Sequence, residues 1–139
     1  MGAAMSIRPL ATPWLLCSLL ASFAGCASLP YSAAKLELAA LPPDTEQRVL
    51  TVLRHQGYRL GQIQRNPLRV QTEWSDHQRA QVPGWKRASV FVDEPATLNV
   101  VVEVRYLNIS LLGAPYETAI YGDRELERTL IETLRDALQ

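Results

Sequence analysis

LNVVVEVRY, which spans residues 98–106, is the part of this chain whose pattern most clearly predicts a structure. Its side chains alternate with a period of two, which is typical of a β-strand with one buried face and one face in water. One predicted face carries Val100, Val102, Val104 and Tyr106, and the other carries Asn99, Val101, Glu103 and Arg105. We therefore predict that Leu98–Tyr106 is the principal strand of an antiparallel sheet.

Four further segments carry weaker strand patterns. Tyr58–Arg65 and Leu68–Ser75 predict two strands joined at the turn dipeptide Asn66-Pro67. Lys86–Asp93 predicts a third strand, and Tyr116–Tyr121 would add an edge strand. The sheet is therefore expected to contain about four to five strands.

Three details of these segments lead to specific expectations. Trp74 alternates in phase with Leu68 and Val70, so we expect its side chain in the core. The polar segment Asp76–Trp85 contains Pro83-Gly84 and is predicted to be a loop. After Tyr106 the apolar phase shifts by one residue, which indicates a bulge or the end of the strand; the shifted residues are Leu107, Ile109 and Leu111.

Two helices are predicted, one before and one after the strands. Asp44 and Gln47 would form a capping box at the start of the first helix, and Gly57 would end it in a left-handed conformation. Asp123 would cap the second helix. Its predicted buried stripe is Leu126, Leu130, Ile131, Leu134 and Leu138, and its predicted outward residues are Glu125, Glu127, Glu132 and Asp136. The order helix, antiparallel strands, helix predicts a single-domain α+β fold.

The N-terminal part of the chain carries a targeting pattern. The apolar run Trp14–Ala24 has 11 residues, too few to span a bilayer as a helix, and fits the central region of a secretory signal. It ends in Phe23-Ala24-Gly25-Cys26, which resembles a bacterial lipobox. The resemblance implies cleavage before Cys26 and acylation of that cysteine. The alternative is an ordinary cleaved signal peptide that leaves Cys26 as an incidental thiol.

Cysteine usage favours the lipid anchor. Cys17 lies inside the signal and would be removed with it, so the mature chain keeps only Cys26 and forms no internal disulfide. By analogy with lipoproteins of Gram-negative bacteria, Ala27 after the cysteine points to the outer membrane. The predicted organisation is a signal peptide over 1–25, a lipidated cysteine and tether over 26–43, and a periplasmic domain over 44–139.

Charge is distributed unevenly along the mature chain. Residues 48–87 hold eight basic and two acidic residues, whereas residues 93–139 hold nine acidic residues and four arginines. Either the two halves neutralise each other across one folded surface, or the basic half meets an acidic partner or phosphate-bearing lipid. Nucleic acid is not expected as a partner outside the cytoplasm.

The order of elements also resembles a known family. A helix ending in Gly57-Tyr58, a strand, the segment Val70-Gln71-Thr72-Glu73-Trp74, an alternating hairpin and a C-terminal amphipathic helix are similar to the small domains of outer-membrane assembly lipoproteins. The family is that of BamC, a lipoprotein of the β-barrel assembly machinery whose helix-grip domains wrap a sheet around a long helix. The resemblance implies a scaffold or interaction role, and it carries over no site residue.

Catalytic motifs are not recognisable in the sequence. His55 and His77 lack the spacing of a zinc site, and the chain offers no second mature cysteine to join them. Glu73, Asp76 and His77 would form either a local carboxylate and imidazole cluster or a solvated strand end. We therefore expect no enzymatic activity, no cofactor and no metal site.

The expected function is that of a membrane-anchored periplasmic protein-interaction or assembly module of the cell envelope. The alternative is a carrier or sensor that binds a lipid or another apolar ligand between the sheet and the C-terminal helix. The candidate partner-binding residues are Arg59, Arg65, Arg69, Leu111 and Leu112. The arginines would steer the encounter with a partner, and the leucines would supply the apolar area buried in the contact.

Overall fold

The computed structural model describes residues 33–93 and 95–139. The predictions about the signal peptide and Cys26 lie outside these residues. In chain order the elements are β1 Ala34–Glu37, α1 Thr45–His55, β2 Leu60–Gln64, β3 Arg69–Thr72, β4 Ser75–Arg79, β5 Val82–Asp93, β6 Thr97–Ile109, β7 Pro115–Glu117, β8 Tyr121–Gly122 and α2 Arg124–Leu138.

Strand β6 lies at the centre of an antiparallel sheet with the order β1-β6-β5-β3-β2. Strand β5 pairs with β6 along one edge, from Thr97 to Tyr106. The opposite edge of β6 therefore holds β1, at residues 97–100, and β8, at residues 103–104. Strand β7 folds back on the last three residues of β6. The predicted strand Leu98–Tyr106 is confirmed as the main part of β6.

Both helices pack against one face of this sheet, which we call the inner face. It is formed by the alternate residues of β5 and β6 that include Val90, Val100 and Val102, each at most 1% exposed. Leu53 of α1 and Leu134 of α2 are fully buried in the same cluster. We call the opposite face, which includes Arg87 and Arg105, the outer face. Within the described ranges no helix covers the outer face.

The fold class is confirmed as a single-domain α+β fold with two helices and a large antiparallel sheet. The expectation that a helix comes first is not supported, because β1 precedes α1 in the described structure. Within residues 33–93 and 95–139 the sheet has eight strands rather than four to five. Strand β1 comes from the segment assigned to a tether, where Ala34 pairs with Val100.

The prediction of a loop over Asp76–Trp85 is wrong. Strands β4 and β5 form a hairpin in this region, with Arg79 paired to Val82 across the two-residue turn Ala80-Gln81. Both turn residues have positive φ, 48° and 66°, as a type I′ hairpin turn requires. Asn-Gly and Asp-Gly are the usual residues of such a turn, so Ala-Gln gives no sequence signal for it.

Two of the three predicted helix caps are present in the structure. Asp123 caps α2 as predicted, since its Oδ1 accepts hydrogen bonds of 3.0 Å from the N–H groups of Glu125 and Leu126. Gly57 follows α1 with the expected positive φ of 78°. The capping box at Asp44 is absent, because the Asp44 carboxylate instead accepts a hydrogen bond of 2.8 Å from Nε of Arg48.

The prediction that Trp74 belongs to the core is also wrong. The alternation of β3 ends at Thr72, and Ser75 is the next residue buried on the inner face. Trp74 lies half-buried on the outer face, where the guanidinium carbons of Arg87 and Arg105 are 4.7 and 4.6 Å from its ring centroid. The irregular step between β3 and β4 moves the indole from one face to the other.

Glu127 was expected to face outward, and this too is wrong, because it is only 2% exposed. Strands β1 and β8 leave a gap between them on the edge of β6, where the Val102 N–H has no strand partner. The Glu127 side chain accepts a hydrogen bond of 3.3 Å from that N–H. The first turn of α2 therefore closes the gap. Burial raises the pKa of the Glu127 carboxyl above its ordinary value.

We expect Glu127→Gln to remove one component of the pH dependence of stability. Between the ordinary pKa of glutamate, 4.5, and the raised value in the fold, the unfolded chain has released a proton that the folded chain still binds. The free energy of unfolding of the wild type therefore falls as pH rises through this window. The glutamine side chain of the variant keeps an acceptor for Val102 and does not titrate. The stability of the variant relative to wild type should rise through the window, as measured by urea unfolding from pH 4 to 8. If the free energies of unfolding of the two proteins changed with pH in parallel, the raised pKa of Glu127 would be contradicted.

We expect Trp74→Ala to lower the free energy of unfolding by about 1–2 kcal/mol, because it removes two partly exposed cation–π contacts of about 0.5–1 kcal/mol each. The control is Leu134→Ala in the core, where about 2–5 kcal/mol is expected. Denaturant unfolding of both variants makes the comparison. A loss at Trp74 equal to or above that at Leu134 would show that the indole is a core side chain after all.

Candidate functional site

Beyond Tyr106, the hairpin formed by β6 and β7 pairs with no other strand of the described sheet. Strand β5 pairs with β6 only as far as Tyr106, and Leu107–Ile109 then pair with Pro115–Glu117 alone. We call residues 109–116 the hairpin tip. The chain thus carries a two-stranded extension whose end lacks the layers that bury the main sheet.

The hairpin tip exposes large apolar side chains. Leu111 and Leu112 are 106% and 96% exposed, Ile109 is 73% exposed and Tyr116 is 49% exposed. No charged residue occurs between Leu107 and Tyr116. Single exposed leucines are ordinary on protein surfaces, whereas several exposed apolar side chains close together in the chain are typical of contact sites. At this exposure Ile109 and Leu111 do not pack beneath α2.

The hairpin tip is ordered by its own hydrogen bonds. The Ser110 N–H donates to the Ala114 carbonyl at 2.8 Å, and the Gly113 N–H donates to the Ser110 carbonyl at 2.9 Å. The Ser110 hydroxyl accepts a further bond of 3.1 Å from the Ala114 N–H. Gly113 has a φ of 79°, a left-handed conformation that glycine adopts without steric cost. The local geometry therefore presents Leu111 and Leu112 on a defined turn.

The three candidate arginines do not form one cluster. Arg65 donates two hydrogen bonds, of 2.8 and 2.6 Å, to the carboxylate of Glu46 in α1, and these bonds lower the pKa of that carboxyl. Arg69 is exposed on β3 next to the same turn, and it forms no ion pair with any described residue. Arg59 lies at the other end of β2, where its guanidinium donates to the Trp74 carbonyl. Only Arg65 and Arg69 share an end of the sheet.

We call the end of the sheet that carries Arg65 and Arg69 the basic end. The basic end and the hairpin tip lie at opposite ends of the sheet. Arg69 pairs with Phe91, which pairs with Asn99 of β6. The hairpin tip begins ten residues later along β6, at Ile109, a distance of about 33 Å at the rise of an extended strand. A small partner therefore cannot contact Arg65 or Arg69 and the two leucines at once.

The suggested carboxylate and imidazole cluster does not form around His77. In β4, Asp76 pairs with Trp85 and His77 with Gly84, so the two side chains point to opposite faces. The His77 ring instead lies 5.9 Å from the ring of Tyr106 on the inner face. Burial, together with the charge of Lys86, lowers the pKa of His77.

A polar group lies beside His77 on β4, where the sequence predicts a loop and gives no signal for it. Arg79 of β4 forms an ion pair of 3.3 Å with Asp123, the residue that caps α2. The Tyr121 ring lies 6.1 Å from that of Tyr106, and Arg79 and both tyrosines line a shallow cleft of about 380 Å³. The Arg79–Asp123 ion pair and the contact between the two tyrosines hold the start of α2 against the hairpin β4–β5. We therefore assign these residues a structural role.

The space between the sheet and α2 is filled by side chains. Leu130, Leu134 and Leu138 of α2 are each at most 4% exposed, and they belong to the same buried cluster as Val100 and Val102. An apolar ligand bound there would have to displace this core. The arrangement therefore favours contact through the hairpin tip over ligand binding beneath the helix.

Neither helix of the described part of the chain has the length and apolar character needed to cross a membrane. In comparisons with known proteins, no protein-family model matches the chain. A search among curated proteins likewise returns no match.

Proposed function

We propose that this chain is a lipid-anchored periplasmic lipoprotein that acts as an interaction or assembly module of the cell envelope. Its contact element is the hairpin tip. The observation that carries the proposal is the complete exposure of Leu111 and Leu112 on an ordered, uncharged turn. Burying a leucine side chain contributes about 1.5–3 kcal/mol, so this pair supplies a useful share of the affinity for an envelope component.

The anchor belongs to the proposal through the N-terminal sequence. The lipobox-like residues Phe23-Ala24-Gly25-Cys26 supply the acylation site, and Ala27 directs the protein to the outer membrane, with the domain on its periplasmic face. Acylation with two or more chains gives stable attachment, which a single chain does not. The role as an assembly module requires such attachment, because it holds the domain close to other envelope components.

The helix-grip-like description and the likeness to the BamC family are also part of the proposal. Two helices packed on one face of an antiparallel sheet support it. The separate basic end supports a second, electrostatic contact. Arg69 is exposed there and, unlike Arg65, forms no ion pair with a described residue, and it would raise the rate of encounter with acidic partners more than the final affinity.

The carrier or sensor remains the alternative function. It requires an apolar ligand between the sheet and α2, in the region occupied by Leu130 and Leu134. Native mass spectrometry of the protein extracted from its own membrane separates the two functions. A retained small molecule would favour the carrier, and co-purifying envelope components would favour the interaction module.

We expect Cys26→Ser to abolish acylation and membrane attachment while the domain stays folded, because Cys26 precedes the first strand, β1, by eight residues. The measurements are the intact mass of the protein and its distribution between membrane and periplasmic fractions. The control is Cys17→Ser within the signal, which should leave processing unchanged. Normal acylation or membrane retention of the Cys26 variant would contradict the anchor.

We expect the double variant Leu111→Ser, Leu112→Ser to lose binding to isolated cell envelopes. The assay uses the mature chain from Cys26, produced without its signal and therefore not acylated, in co-sedimentation with envelopes. Because both leucines are exposed, the melting temperature should change by only a few degrees. The matched control, Arg65→Glu with Arg69→Glu at the opposite end, should weaken binding mainly at low salt. Equal binding of the leucine variant and wild type would remove the hairpin tip as the contact element.

A further inference from the structure

We propose that the hairpin tip enters the same lipid surface that holds the acyl chains of Cys26, so that the protein is attached to the membrane at two points. This inference rests on the proposed lipid anchor and names the partner of the hairpin tip. The contact is with lipid, at Leu111 and Leu112, rather than with another envelope protein.

The pairing of β1 fixes the direction from which the chain enters the sheet. Strand β1 runs antiparallel to β6, with Ala34 opposite Val100 and Glu37 opposite Thr97. Residue numbers along β6 increase toward the hairpin tip. The backbone therefore runs into β1 from the end of the sheet at which the hairpin tip projects.

The short segment between Cys26 and β1 limits how far the domain can lie from the membrane. Cys26 precedes Ala34 by eight residues, which span at most about 26–29 Å when fully extended. From Val100, which lies beside Ala34, β6 runs nine residues to Ile109, or about 30 Å, and the hairpin tip continues beyond that. A segment this short cannot hold the domain farther from the membrane than the hairpin projects. With β6 directed toward the membrane, the hairpin tip reaches the lipid.

The side chains and hydrogen bonds of the hairpin tip are compatible with lipid. Lipid accepts uncharged side chains and penalises backbone groups without hydrogen bonds. The hairpin tip has no charge between Leu107 and Tyr116, and its internal bonds use the N–H groups of Ser110, Gly113 and Ala114.

The residues at the base of the hairpin tip suit the boundary between lipid and water. Tyr116 is half-exposed there, and tyrosine is enriched at membrane interfaces. The first charges on either side of the hairpin tip, Arg105 and Glu117, form an ion pair of 2.9 Å with each other. The neutral hairpin tip is thus followed by a neutralised pair, so insertion as far as Tyr116 buries no unpaired charge.

This orientation assigns a direction to the rest of the surface. The basic end with Arg69 lies about 33 Å from Ile109 along the sheet and so faces away from the lipid. Lipid attachment at two points would leave that end open to partners in the periplasm. The two candidate surfaces then have different occupants, with lipid at the hairpin tip and protein at the basic end.

The cysteine content of the chain allows a direct test. Cys17 leaves with the signal and the thiol of Cys26 is acylated, so Leu112→Cys introduces the only free thiol. An environment-sensitive fluorophore is attached there, and acylated protein is reconstituted in vesicles of phosphatidylethanolamine and phosphatidylglycerol. We expect a blue shift of the emission, quenching by lipids brominated on their acyl chains, and protection from iodide in the water. The matched control is Gln64→Cys, exposed at the opposite end of the sheet, whose label should show none of these changes.

Three results would overturn parts of this picture, and they are distinguishable. If the Leu112 label responds to iodide as the Gln64 label does and ignores brominated lipid, the hairpin tip does not enter lipid. If the label becomes protected only after envelope proteins are added, its partner is a protein, and the inference fails while the proposed function stands. If the intact mass of the purified protein lacks acyl chains, the proposed anchor itself fails. Fluorescence is therefore interpreted only for protein whose acylation has been verified by mass.

Discussion

The backbone of β6 must be hydrogen-bonded along both edges, because it lies at the centre of the sheet and most of its inner-face side chains are fully buried. One edge is satisfied by the long strand β5. The other edge is satisfied in pieces, first by β1, then by the carboxylate of Glu127 at Val102, then by β8 and finally by β7. This requirement determines where the N-terminal strand, the first turn of α2 and the hairpin lie.

Side-chain packing follows from the same strand. The valines at positions 100, 102 and 104 of β6 are fully buried on the inner face, and the two helices cover it with leucine and valine. On the outer face, Arg105 instead stacks on Trp74 and Trp85, and Arg87 pairs with Glu103 at 2.6 Å. The two faces of one strand therefore divide the domain into a dry core and a polar surface held together by stacked rings and ion pairs.

The sequence predicted those features that depend on residues close together in the chain. Alternation within ten residues located β6, and the spacing of Leu130 and Leu134 together with Asp123 located α2 and its start. Features that depend on distant pairing escaped prediction. Strand β1 forms only because β6 offers an open edge, and Glu127 is buried only because β1 and β8 leave a gap there.

For the candidate site too, the predictions failed where they depended on parts of the chain that are distant in sequence. The shift of apolar phase after Tyr106 predicted a bulge or the end of the strand, whereas β6 continues to Ile109 and pairs there with β7 alone. An apolar side chain looks the same in sequence whether it is buried or exposed, so the exposure of Leu111 could be seen only in the fold. The arginines were grouped by their nearness in sequence. Arg59 is separated from Arg65 by the length of β2, and Arg65 is occupied by Glu46, a residue of another element.

The position of β1 has a mechanical consequence. With β6 directed toward the membrane, a lipid anchor upstream of Ala34 would pull on the N-terminal end of β1 along the strand, and the pairing with β6 would resist that pull. A force of that direction loads the four residue pairs of β1 and β6 together, in shear, whereas a force across the strand would peel them apart one after another. If the proposed anchor is present, β1 is thus arranged to bear its tension, and the side chain of Leu36, only 2% exposed, holds the strand to the core.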